Sequence, residues 1–120
     1  MPTDRSFGKF LRARRIAKAA EDRTFSVRGL AGRVGIEPSY LSKIERGRQP
    51  PPGEETIRRI ATELGEDPDV LLALAGKVSS DLLQIIRERP THVGGLLRSI
   101  RRVPAKRVAE MARKVRDGNW

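Results

Sequence analysis

Apolar residues along the first half of the chain recur at spacings of three and four, the repeat of one helix face rather than the alternation of a half-buried strand. Phe7, Phe10, Leu11 and Ile16 mark such a face, with Lys9, Arg12, Arg14 and Lys18 mostly opposite, and predict a first helix over residues 6 to about 20. The EDRT segment breaks it. Ser26, whose hydroxyl can accept from a first-turn N–H, starts a second, short helix in which Val27, Leu30, Ala31 and Val34 turn inward. Gly35 closes that helix, because the residue after a helix often takes left-handed angles that glycine adopts without strain. Pro38 suits the first turn of a third helix, and Leu41 and Ile44 form its apolar edge. Gly47 stops it before RQPPPGEE, whose three consecutive prolines cannot continue a helix.

Glu54 and Glu55 occupy the first turn of a fourth helix, where acids favour the dipole, and Ile57, Ile60, Ala61 and Leu64 line its inner face up to Gly65. Asp67 caps a fifth helix that has Pro68 at its start, turns Val70, Leu71 and Leu74 inward and ends at Gly76. Three further helices follow. Ser80 or Ser79 caps the first, with Leu82, Leu83, Ile85 and Ile86; Thr91 caps the second, through Val93, Leu96, Leu97 and Ile100; Pro104 opens the third, through Val108, Met111 and Val115. The expected fold class is all-α: a five-helix domain over 1–76 and a helical extension over 77–120.

Composition narrows the function. Aromatic residues make up 4% of the 120 and charged residues 33%, which favours helix packing over a β-sandwich. There is no cysteine, so disulfides, thiolate nucleophiles and Cys-ligated zinc are excluded, and the one histidine, His92, cannot build a metal site alone. No metal or other cofactor is expected. An enzyme is the least supported class, since the acids of GEE and GEDPD stand at helix starts, where capping accounts for them. No run of about 18 apolar residues is present, and MPTDRSFGKFLRARR lacks the apolar core of a signal peptide. A soluble, cytoplasmic protein with no membrane partner is the expectation.

The net charge of +10 is unevenly placed. Residues 1–53 carry 12 Lys and Arg against 5 Asp and Glu, residues 54–76 carry 2 against 6, and residues 77–120 carry 11 against 4. Such a basic chain points to a polyanion, nucleic acid above all.

The second helix, the turn at Gly35 and the third helix make a helix-turn-helix unit. A recognition helix must present side chains short and polar enough to meet base edges, while its apolar edge locks it to the core. With Leu41 and Ile44 inward, Ser39, Ser42, Lys43 and Arg46 fall on the outer side, and Tyr40 lies at the margin with a hydroxyl able to reach a phosphate. Serine and lysine there suit bases; arginine suits phosphates.

On these residues the stretch SVRGLAGRVGIEPSYLSKIERGRQPPPGEETIRRIATELGEDPDVLLALAG resembles the helix-turn-helix of the phage repressor and Cro type, the XRE family of bacterial regulators. The resemblance covers about residues 6–76 and implies a lambda-repressor-like domain that binds double-stranded DNA with its third helix in the major groove. It implies base contacts from Ser39, Ser42 and Lys43 and phosphate contacts from Arg28, Tyr40, Arg46 and Arg48. It also implies a structural ion pair between Arg15 and Glu45. The chain departs from the family pattern at three places: Val27 replaces a phosphate-contacting Gln, Glu37 replaces a capping Ser or Thr, and the AEDRTF connection is longer.

The leading expectation is therefore a sequence-specific transcriptional regulator, a repressor acting as a homodimer. The alternative is an antitoxin or adaptor whose residues 77–120 bind a protein partner. RNA binding has only the charge in its favour, because no aromatic stacking platform is present.

Overall fold

The computed structural model describes residues 6–120, and every regular element in that span is helical. Eight α-helices follow one another: α1 (Ser6–Glu21), α2 (Val27–Val34), α3 (Pro38–Glu45), α4 (Glu54–Leu64), α5 (Pro68–Leu74), α6 (Ser80–Glu88), α7 (Pro90–Ile100) and α8 (Ala105–Arg116). A single 3₁₀ turn, Arg23–Phe25, lies between α1 and α2. The chain divides into two compact units that meet at Ser79 and Ser80.

Local chemistry sets the ends of the elements in the first unit. The Asp22 side chain accepts the Thr24 N–H and caps the 3₁₀ turn, and Ser26 Oγ accepts from the Gly29 N–H at 3.0 Å to start α2. Gly35 ends α2 at φ 76° and Gly65 ends α4 at φ 68°, both in the left-handed region. Asp67 caps α5 through the Asp69 N–H at 2.9 Å, with Pro68 next to it.

Packing then joins the helices around one core. Phe7, Leu11, Phe25, Leu30, Val34, Leu41, Ile44, Ile57, Ile60, Leu64, Leu71 and Leu72 are all buried. Helix α1 packs on α3, α4 and α5; α2 packs on α3 and α4; α4 packs on α5. Each fully buried Leu or Ile contributes about 1.5–3 kcal/mol, so Leu41 and Ile44 anchor the short α3 far more firmly than its own propensity could.

Two inward assignments are corrected. Ile16 is 48% exposed, because the buried stripe of α1 steps by four through Phe7 and Leu11 to Arg15 and leaves Ile16 about 100° further round. Val70 is exposed as well, since the seven-residue α5 turns Leu71 and Leu72 to the core instead. The start of α7 is also two residues earlier than its sequence suggests. Pro90, with its fixed φ, takes the first helical position, and Arg89, not Thr91, stands at the cap.

In the second unit α6 packs on α7. No residue of α6, α7 or α8 is buried.

Candidate nucleic-acid interface

Residues 35–53 form the site: the turn, the short α3 and the proline-bearing loop behind it. The turn closes on two hydrogen bonds to one carbonyl, Gly35 N–H and Ile36 N–H both donating to Ala31 O at 2.9 and 3.0 Å. That closure is the Schellman-like stop that lets α3 leave at an angle from α2. Helix α3 then begins at Pro38, and Glu37 at its cap makes no side-chain capping bond. At the far end Gly47 has φ 73°, and the N–H groups of Arg48 and Gln49 return to the Lys43 carbonyl at 2.8 and 3.3 Å.

The inward and outward faces of α3 are chemically distinct. Leu41, Ile44 and Glu45 are buried, Tyr40 and Ser42 are half-buried, and Ser39, Lys43 and Arg46 are exposed. Tyr40 packs its ring against the core, at the margin of the helix. Arg46 folds its Nε toward the Ser42 carbonyl at 3.4 Å, over the last turn. Arg28 on α2 and Arg48 in the loop are exposed.

Glu45, the sole acid between residues 38 and 50, is turned into the protein. Arg15 meets it with two hydrogen bonds, Nε to Oε2 at 2.6 Å and Nη2 to Oε1 at 2.9 Å, while Nη1 donates to the Phe25 carbonyl at 3.3 Å. One guanidinium thus ties together α1, α3 and the 3₁₀ turn. The bidentate geometry satisfies both partners, so the two charges cancel inside the fold.

Four further arginines of the first unit are held in ion pairs. Arg14 pairs with Glu66, Arg33 with Glu63, Arg58 with Glu54 and Arg59 with Glu55. Arg33 also stacks over the Phe25 ring at 4.5 Å and donates to Thr24 Oγ1 at 2.5 Å. By contrast, no carboxylate of the described residues pairs with Arg28, Lys43, Arg46 or Arg48. The cations around α3 are therefore available, as are Lys9, Arg12 and Arg23 elsewhere in the first unit.

Two positions that set this geometry carry no chemical signal in the sequence. A Cβ at Gly8 would fall on the Ile44 carbonyl oxygen, and one at Gly29 would fall on the Thr24 carbonyl oxygen. Gly8 therefore lets α1 approach the end of α3, and Gly29 lets α2 close on the 3₁₀ turn. A glycine inside a helical pattern is the only hint of either. Val27 is half-buried and packs against the core, which gives it a packing role at the start of α2.

A family model described as a helix-turn-helix domain matches residues 6–74, more than half of the chain, and the chain belongs to that family. Its class is that of a helix-turn-helix DNA-binding regulator. No curated protein and no solved structure matches it. Among the described residues no helix is long and apolar enough to cross a membrane.

Proposed function

We propose that the protein is a sequence-specific regulator of transcription, a cytoplasmic repressor of the XRE type that binds double-stranded DNA as a homodimer. The outward face of α3 carries this reading: Glu45, the one acid within the helix, is buried against Arg15, so Ser39, Ser42 and Lys43 face outward, with the exposed Glu37 carboxylate standing only at the helix start. In the proposed complex Ser39, Ser42 and Lys43 read base edges in the major groove, and Arg28, Tyr40, Arg46 and Arg48 hold phosphates on either side. The uncapped start of α3 adds backbone N–H groups suited to a phosphate or base acceptor.

The second unit supplies the proposed dimer surface. Leu82, Leu83, Ile85, Leu96 and Leu97 are exposed in a unit with no buried residue, a pattern that a protein contact would satisfy. One short recognition helix reads few base pairs, and a second copy doubles them with half-sites about one helical turn apart. A toxin or adaptor partner would use the same apolar surface; sedimentation of the pure chain as a monomer, with and without DNA, would replace the homodimer with that reading.

Selection from a random pool of duplexes tests the function. The wild-type chain is expected to enrich a two-fold-symmetric sequence, and Ser42→Ala with Lys43→Ala to lose the enrichment. A pool that stays random after repeated rounds would contradict sequence-specific binding.

A further inference from the structure

Beside α3, the outer face of α1 and the C-terminal end of α3 enclose an open cleft of about 510 Å³ lined by Lys9, Arg12, Ala13, Ile16, Glu45 and Arg46. Its chemistry has two parts. The rim is cationic: Lys9, Arg12 and Arg46 are exposed, and no carboxylate of the described residues pairs with any of them. Glu45 does not offset this, because both its oxygens are held by Arg15 and its side chain is only 3% exposed. The floor is apolar: Ala13 and Ile16 lie open on a helix that buries Phe7 and Leu11.

An occupant of this cleft must carry negative charge at the rim and offer a small apolar surface to the floor. A free inorganic anion meets only the first condition, and an apolar peptide only the second. The sugar-phosphate backbone of DNA meets both, with phosphate oxygens for the cations and deoxyribose carbons for Ile16. Lys9 and Arg12 are three apart on one helix, so their side chains are neighbours on its surface and can share one stretch of strand. The cleft is also continuous with α3 through Arg46.

We propose that this cleft seats the backbone of the DNA strand flanking the groove that α3 reads, with Lys9 and Arg12 as phosphate contacts and Ile16 against deoxyribose. The inference rests on the DNA-binding reading above and extends its footprint from α3 onto α1. Lys9 and Arg12 are thereby backbone-positioning residues, which fix register on the duplex and carry no sequence information.

The test compares the full-length chain with Lys9→Gln/Arg12→Gln on the enriched and scrambled duplexes, between about 50 and 200 mM salt. Each phosphate contact contributes about 0.9 to the slope of log K against log salt, so the double variant should lower the slope by about 1 to 2. Its affinity should fall by the same factor on both duplexes, with thermal unfolding unchanged because both side chains are exposed. Ile16→Glu, which places an acid on the floor, should weaken both duplexes likewise. An unchanged slope in a double variant that still discriminates the duplexes would overturn the cleft and leave the DNA reading standing. A loss confined to the enriched duplex would overturn it too, as would a wild-type chain that binds neither duplex, which would remove the DNA reading with it.

Discussion

Arg15 and Glu45, thirty residues apart, share two hydrogen bonds of 2.6 and 2.9 Å with side chains 10% and 3% exposed. The pair fixes the end of the recognition helix to α1. Removing either partner leaves a buried charge unmatched, at a cost of about 3–5 kcal/mol. Arg15→Ala and Glu45→Ala are expected to lower the unfolding free energy measured in urea by that amount, whereas Arg15→Met/Glu45→Leu, which removes both charges and fills the volume, should stay close to wild type. A double variant as unstable as the singles would mean that the ion pair itself, rather than its satisfied burial, stabilises the fold.

Glycines in neighbouring helices should respond in opposite directions. Gly8→Ala puts a methyl group on the Ile44 carbonyl, and backbone against backbone cannot yield cheaply, so a loss of about 1–3 kcal/mol is expected. Gly32 has open space around it, and Gly32→Ala should gain about 1 kcal/mol from helix propensity. Thermal unfolding of the two variants beside wild type reads the sign directly.

How far the fold was legible follows from such residues. Ser26, Gly35, Pro38, Gly65, Asp67 and Pro68 act within a few residues of themselves, and their roles as caps, stops and starts could be read from the chain. Ile16 and Val70 could not be placed, because which side of a helix is inner depends on its partners, and α1 spends an inner position on Arg15. Gly8 and Gly29 depend on carbonyls far along the chain or outside their own helix. In the candidate site the outward residues of α3 followed from periodicity. The engagement of Glu45 by Arg15 was expected only from the family resemblance, and the cationic rim formed with α1 needed three dimensions.

Acid should loosen the connection between α1 and α2. The Asp22 carboxyl is held below the ordinary value of 3.8, first by the hydrogen bond from the Thr24 hydroxyl and then by the Thr24 N–H, with Arg33 and Lys18 adding favourable charge. A carboxylate with a depressed folded-state value contributes stability that is present above its unfolded value and lost as pH falls through the folded one. Asp22→Ala should therefore be less stable than wild type at neutral pH, and the gap should close below about pH 3.8, in urea titrations at stepped pH. A gap that stays constant into that range would show that the carboxylate charge is not what caps the turn.

Exposed leucines of the second unit provide a test of assembly. Leu83 and Leu97 are 39% and 48% exposed, so Leu83→Asp/Leu97→Asp costs little within one chain but places acids in any apolar contact between chains. Sedimentation equilibrium should show the wild type as a dimer and the variant as a monomer, with helical content unchanged by circular dichroism. Identical masses for the two would remove this surface from the dimer.

The most direct measurement is the affinity of the chain for the enriched duplex against a scrambled one at about 50 and 200 mM salt, with Ser42→Ala/Lys43→Ala alongside. The account predicts a preference for the enriched duplex that survives the higher salt and disappears in the variant, because α3 reads bases while the surrounding cations hold phosphates. Equal binding of both duplexes, lost together as salt rises and untouched by the substitutions, would show counterion release alone and contradict a base-reading role for α3.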